Sequence, residues 1–150
     1  MTRTLIAGFG NVLRKDDGFG VEVIRRLEEE GVGKNVTLLE VGTGGIRLAQ
    51  ELLTPYDRLI IVDAMNRGRP PGSVSVLAVD DVEPVREVDM HAAVPSRALA
   101  LARALSALPP EIVMVSCEPA EVDELSTELT VAVQAGVDHA LVEIRRLTRD

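Results

Sequence analysis

Aromatic residues are nearly absent from this chain: two Phe, one Tyr and no Trp among 150 residues. The core must therefore be built from Val, Leu, Ile and Ala, which the 46% apolar content supplies. Cysteine is scarce as well. The one residue, Cys117, excludes an intrachain disulfide and fits a reducing compartment. Positive charge is in deficit, with 16 Lys and Arg against 24 Asp and Glu and a net charge of −8. That balance argues against non-specific nucleic-acid binding, which neutralises phosphates with basic side chains. No apolar run approaches the ~18 residues of a spanning helix, and no apolar leader precedes the first strand. The expectation is one soluble, cytoplasmic domain over residues 1–150, with no membrane contact.

What is present is regular alternation. Strands are expected at Thr4–Gly8, Val36–Val41, Arg58–Asp63, Ser73–Val79 and Ile112–Ser116. The first, third and last are continuous apolar runs, as in parallel strands buried on both faces. Ser73–Leu77 alternates instead, directly after the turn Arg69-Pro70-Pro71-Gly72, and reads as an edge strand reached without a helix. Helices are expected at Gly18–Glu30, Gly45–Leu53, Pro95–Leu108 and Glu128–Leu147, the last capped by Ser126 or Thr127. The pattern predicts a three-layer α/β sandwich. Its sheet is twisted, mostly parallel and five-stranded, with one antiparallel edge strand and helices on both faces. His139 falls mid-helix and reads as partly exposed, and the stretch 80–94 is the longest irregular one.

The most informative stretch is Gly8-Phe9-Gly10-Asn11-Val12-Leu13-Arg14-Lys15-Asp16-Asp17-Gly18-Phe19-Gly20. Strand, glycine turn and helix open many nucleotide-binding domains, yet this turn carries adjacent carboxylates where a phosphate cradle needs N–H groups. A cation is the better match. Asp16 and Asp17 have a plainer reading as caps of the following helix.

In a parallel sheet, ligands sit beyond the carboxyl ends of the strands. Asp17 follows the first strand, Asp63 ends the third, and His91 lies in the long irregular stretch. If the first and third strands are neighbours, the two acids converge. Two carboxylates and an imidazole suit Zn²⁺, Ni²⁺ or a similar divalent ion and leave positions open for water or substrate. That is the requirement of metal-assisted hydrolysis. Gly42-Thr43-Gly44-Gly45 gives a tight strand-to-helix turn whose backbone can approach an extended peptide. A Cys117 nucleophile needs a neighbouring base, and nothing in the sequence places His91 or His139 beside it. Ser96 lacks a nucleophile elbow.

Taken together, these motifs resemble the NiFe-hydrogenase maturation protease family. The resemblance rests on Gly8-x-Gly10-Asn11-x-Leu13-x-x-Asp16-Asp17-Gly18-x-Gly20, on Gly42-Thr43-Gly44-Gly45, on Leu59–Ala64 with its Asp63, and on His91. It implies an endopeptidase that removes the C-terminal peptide of a hydrogenase large-subunit precursor after nickel insertion. It also implies that Asp17, Asp63 and His91 form the catalytic, metal-contacting set. Asn11, Gly42, Thr43 and Gly44 then shape the substrate groove. The implied metal is nickel presented by the precursor, with zinc or another divalent ion able to occupy the site in vitro. Separately, the sequence shows no long exposed apolar stripe, so a monomer meeting its partner transiently is expected. Asp17 departs from the Glu that many members carry, and Ala92–Ser96 lacks the polar residue often found beside the histidine. Two rivals stand beside this reading. One is a non-catalytic metal-binding or scaffold protein of the same fold. The other is a dinucleotide-binding module, in which Glu40 holds a ribose hydroxyl but Leu13 replaces the third glycine.

Overall fold

Five strands form a single mixed sheet in the order β2-β1-β3-β5-β4. In this computed structural model, which describes residues 1–79 and 107–149, the strands are β1 (Thr4–Phe9), β2 (Val36–Gly42), β3 (Arg58–Ala64), β4 (Val74–Ala78) and β5 (Glu111–Cys117). Each lies within one residue of its expected bounds. The pairs β1–β2, β1–β3 and β3–β5 are parallel, and β4 runs antiparallel to β5 at the edge. The alternating polar pattern of β4 has its cause here: an edge strand is only half covered. The expected helix over Pro95–Leu108 lies outside the described residues except for its last two positions.

Three α-helices are described: α1 (Phe19–Glu30), α2 (Ile46–Glu51) and α3 (Val131–Leu147). On one face of the sheet Ile6, Ile60, Val62 and Val115 pack against Val23, Ile24 and Leu27 of α1 and Val133, Val137 and Ile144 of α3. On the other, Leu5, Ala7, Leu59 and Ile61 pack against Leu48 of α2 and Leu52 just beyond it. Alternate residues of each central strand thus feed opposite cores. Each fully buried Leu or Ile contributes about 1.5–3 kcal/mol on the area scale.

The chain crosses from β1 to β2 by α1 on one face and from β2 to β3 by α2 on the other. The direction of winding therefore reverses between β1 and β3, the place in such sheets where ligands generally bind beyond the carboxyl ends of the strands. The approach of α1 to that edge depends on glycine. A Cβ on Gly20 would strike the carbonyl oxygens of Phe9 and Val62, and one on Gly8 would strike the carbonyl of Gly20.

The last helix starts later than its periodicity suggests. Its N-cap is Thr130, in extended conformation, and neither Ser126 nor Thr127 caps it. Residues 118–130 form a loop tied to the segment after β1. Lys15 N–H donates to Ser126 O at 2.9 Å, Ser126 N–H to Leu13 O at 3.0 Å, and Asp16 N–H to Glu121 O at 3.0 Å. A helix begun at Glu128 would take these residues out of register with that partner.

Candidate active site

The two adjacent acids separate in role. Asp16 is fully buried, and its carboxylate accepts hydrogen bonds from Ala120 N–H (2.8 Å), Glu121 N–H (3.0 Å), Thr130 N–H (2.8 Å) and the Thr130 hydroxyl (2.9 Å to Oδ2). These bonds bind the β1–α1 connection to the loop leading into α3. The capping expectation fails for Asp16, because its acceptors are directed away from α1, and the N-cap of α1 is Gly18 with no side-chain bond.

Asp17 is turned inward from the 3₁₀ turn Lys15–Gly18 and is 5% exposed. Its Oδ2 accepts from Asn11 N–H at 2.9 Å. Asn11 in turn accepts from Leu13 N–H through its side-chain Oδ1 at 2.9 Å. Two amides that a phosphate cradle would need are therefore already occupied, which weighs against the dinucleotide reading. Glu40 is engaged too, pairing with Arg25 at 3.1 Å.

Asp63 is the first β3 residue beyond the β1 ladder, since Gly8 pairs with Val62. It is 2% exposed and shares the sheet face of Leu59 and Ile61. Gly10 packs on the main chain of Asp17, on the side of Asp63. With φ +125° it occupies backbone space that side-chain-bearing residues rarely adopt. A Cβ there would collide with Asp17 O and lie 3.8 Å from Asp63 Oδ1. Gly10 N–H also donates to Gly42 O at 2.9 Å, joining the turn after β1 to the turn after β2.

On the far side of Gly10 from Asp63 opens a groove of about 380 Å³, bordered by Asn11, Glu40, Gly42 and Thr43. Three of the four expected groove residues, Asn11, Gly42 and Thr43, thus border one depression. Gly44 is exposed one position further along the same turn. Arg25 and Arg47 complete the wall. Sequence reasoning did not single them out. Their signal was available only as two basic residues on the helices that follow the glycine turns, Arg25 midway along α1 and Arg47 in the first turn of α2. His91 lies outside the described residues. Among the described residues no three His, Cys, Asp or Glu side chains gather as a metal cluster. Asp17 and Asp63 are both buried at the carboxyl edge of the sheet, and neither lines the groove.

Cys117 ends β5 with its side chain fully buried. Burial, then the nearby charges of Asp16 and Glu118, push its thiol up to about 12. A thiol held protonated and shielded is not a nucleophile at neutral pH, so the cysteine-enzyme reading fails on electrostatics. Glu118 is a strut: it accepts from Arg67 N–H at 2.8 Å and Arg69 N–H at 3.0 Å, holding the turn before β4. His139 is exposed in α3 beside Glu143, at 3.5 Å. No helix among the described residues is long and apolar enough to cross a membrane.

Comparison with known proteins bears on the fold and the family. The HycI family profile, described as hydrogenase maturation protease, matches residues 21–146. The hydrogenase expression/formation protein HupD of Rhodobacter capsulatus is 32% identical over 151 residues, covering 98% of this chain and 71% of HupD. The hydrogenase maturating endopeptidase HybD of E. coli superposes with a TM-score of 0.87 at 28% identity, over 98% of this chain and 92% of that one. The NiFe-hydrogenase maturation protease HybD of Thermococcus kodakarensis gives 0.79 at 31% identity, over 97% and 99%. Two buried acids at the carboxyl edge of the sheet and a groove between two glycine turns thus sit in a chain that belongs to the hydrogenase maturation protease family, whose members are peptidases.

Proposed function

We propose that this peptidase removes the C-terminal peptide of a NiFe-hydrogenase large-subunit precursor, and that Asp17, Asp63 and His91 contact nickel which the precursor already holds. The observation that supports the reading is that Gly10 and Asn11 border the groove while reaching both buried acids: Asn11 N–H bonds the Asp17 carboxylate, and Gly10 packs on the Asp17 main chain near Asp63 Oδ1. In this reading Asp63 and Asp17 receive the metal end of the substrate. The groove along Asn11, Gly42, Thr43 and Gly44 takes the peptide next to the scissile bond. A divalent ion at such a site polarises a carbonyl or lowers the pKa of a water it holds.

The chain's own contribution is positional. Asn11 N–H fixes one oxygen of Asp17, and Gly10 lets main chain come close to both acids. A peptide held in one orientation against fixed groups loses much of its entropic barrier to reaction. Two carboxylates plus one histidine form a minimal donor set, which suits an ion that arrives with ligands of its own. Zinc or another divalent ion binding in vitro would use the same donors. The reading has a cytoplasmic monomer that meets its precursor transiently.

The test is cleavage of purified, nickel-loaded and nickel-free precursor, followed by mass spectrometry. Loss of a C-terminal peptide from nickel-loaded precursor alone is expected. Asp17→Asn and Asp63→Asn should each slow it by about 10²-fold or more. No cleavage of a verified nickel-loaded cognate precursor would favour the non-catalytic scaffold.

A further inference from the structure

We infer that the groove beside Gly10 contains a subsite for a carboxylate of the substrate peptide, held between Arg25 and Arg47. The inference rests on the protease reading and adds a recognition element to it.

The groove has three charged side chains in its wall, Arg25, Glu40 and Arg47. Arg25 Nε bonds Glu40 Oε1 at 3.1 Å. Arg47 bonds only the main-chain oxygen of Glu40, at 2.9 Å, and has no ion pair among the described residues. Two guanidiniums therefore face one carboxylate. This leaves a local excess of one positive charge on a chain whose net charge is −8.

A guanidinium presents several N–H donors in a planar fork that fits a carboxylate bidentately. The hydrogen bonds described use one nitrogen of each arginine, so most of both forks remains for a ligand. Both side chains are exposed, on helices that start at the two glycine turns. The same groove reaches Gly10, which touches the Asp17 and Asp63 site. A peptide with its scissile bond near those acids would pass the arginines with a residue close to the cut.

An acidic peptide is repelled by this chain as a whole, and screening confines that repulsion to about 8–10 Å at ordinary ionic strength. A local pair of arginines reverses the sign where it counts. The carboxylate can come from an Asp or Glu side chain of the C-terminal extension or from its terminal α-carboxylate. The chemistry of recognition is the same.

The experiment measures KM and kcat on nickel-loaded precursor for the unmodified chain, Arg25→Gln and Arg47→Gln, at low and high salt. Precursors carrying single Asp→Asn or Glu→Gln changes in the extension, or an amidated C-terminus, identify the carboxylate. Each arginine variant should raise KM about tenfold with kcat within about twofold, and high salt should shrink the defect. One neutralised carboxylate should cost the unmodified enzyme a similar factor and cost Arg47→Gln little more. Unchanged KM in both variants, or losses that simply multiply for every carboxylate, would overturn the subsite while leaving the protease standing. Failure of the unmodified chain to cleave verified precursor would overturn both.

Discussion

Asp16 and Thr130 are 114 positions apart, and both the amide and the hydroxyl of Thr130 donate to the Asp16 carboxylate. Together with Ala120 and Glu121, this contact fastens the loop carrying Asp17 to the chain entering α3. Asp16 thus supports the fold, while Asp17 accepts from the Asn11 amide at the border of the groove.

Replacing Asp16 by Asn turns an all-acceptor group into one with an amide facing N–H donors. Unfolding free energy should fall by about 2–4 kcal/mol, read as a lower urea midpoint. Thr130→Val should cost about 1–2 kcal/mol, and the double variant should lose less than the sum of the two. An Asp16→Asn protein with unchanged stability would contradict the strut.

Gly20→Ala should be severely destabilising, by about 3 kcal/mol, because the new methyl meets two strand carbonyls rather than flexible side chains. Gly44→Ala, where nothing lies within 4 Å of the added Cβ, serves as the control and should change stability by under about 0.5 kcal/mol. Chemical denaturation of the two variants checks the contrast.

Cys117 should resist thiol reagents in the native protein at pH 8 and react on addition of urea. Its folded pKa, about 12, exceeds the ordinary thiol value of 9.0. Its stabilising contribution is therefore complete below pH 9. As pH rises towards 12 the unfolded chain releases the proton first, and stability falls by up to about 1.4 kcal/mol per pH unit from this group. Cys117→Ala should flatten the decline. Tyr56, also raised by burial, leaves a residual slope above pH 10. Stability curves of both proteins from pH 8 to 11 make the comparison.

Affinity for a divalent ion should drop from pH 7 to pH 5, because carboxylates and imidazole bind metal only when deprotonated. Calorimetry at the two values is the measurement. His91→Gln should weaken binding at pH 7 and reduce the pH dependence. An isotherm unchanged by either would remove His91 from the donor set.

The sheet was legible because its strands are coded locally. Ile60-Ile61-Val62 cannot be solvated on either face, and Pro70-Pro71-Gly72 marks the entry to an edge strand. The position of Asp63 at the carboxyl edge of β3 was legible because a buried apolar strand ends there in a carboxylate. Residue chemistry alone did not separate Asp16 from Asp17, and only the family resemblance singled out Asp17; the structural role of Asp16 lies in Thr130 and Ala120, over a hundred residues away. The start of α3 was misplaced for the same cause: Leu129 has helical spacing, but long-range hydrogen bonds hold the preceding residues in a loop. Arg25 and Arg47 look like ordinary solvated helix charges until the two turns bring them to one groove.

The hydrogen bond from Gly10 to Gly42 also constrains how such sites can be exchanged between relatives. A chimera that imports only the Gly42–Gly45 turn would pull on Gly10, and through the neighbouring Asn11 amide on Asp17. The two turns therefore move as one mechanical unit, and an exchange that keeps the Asp17 geometry intact has to carry both.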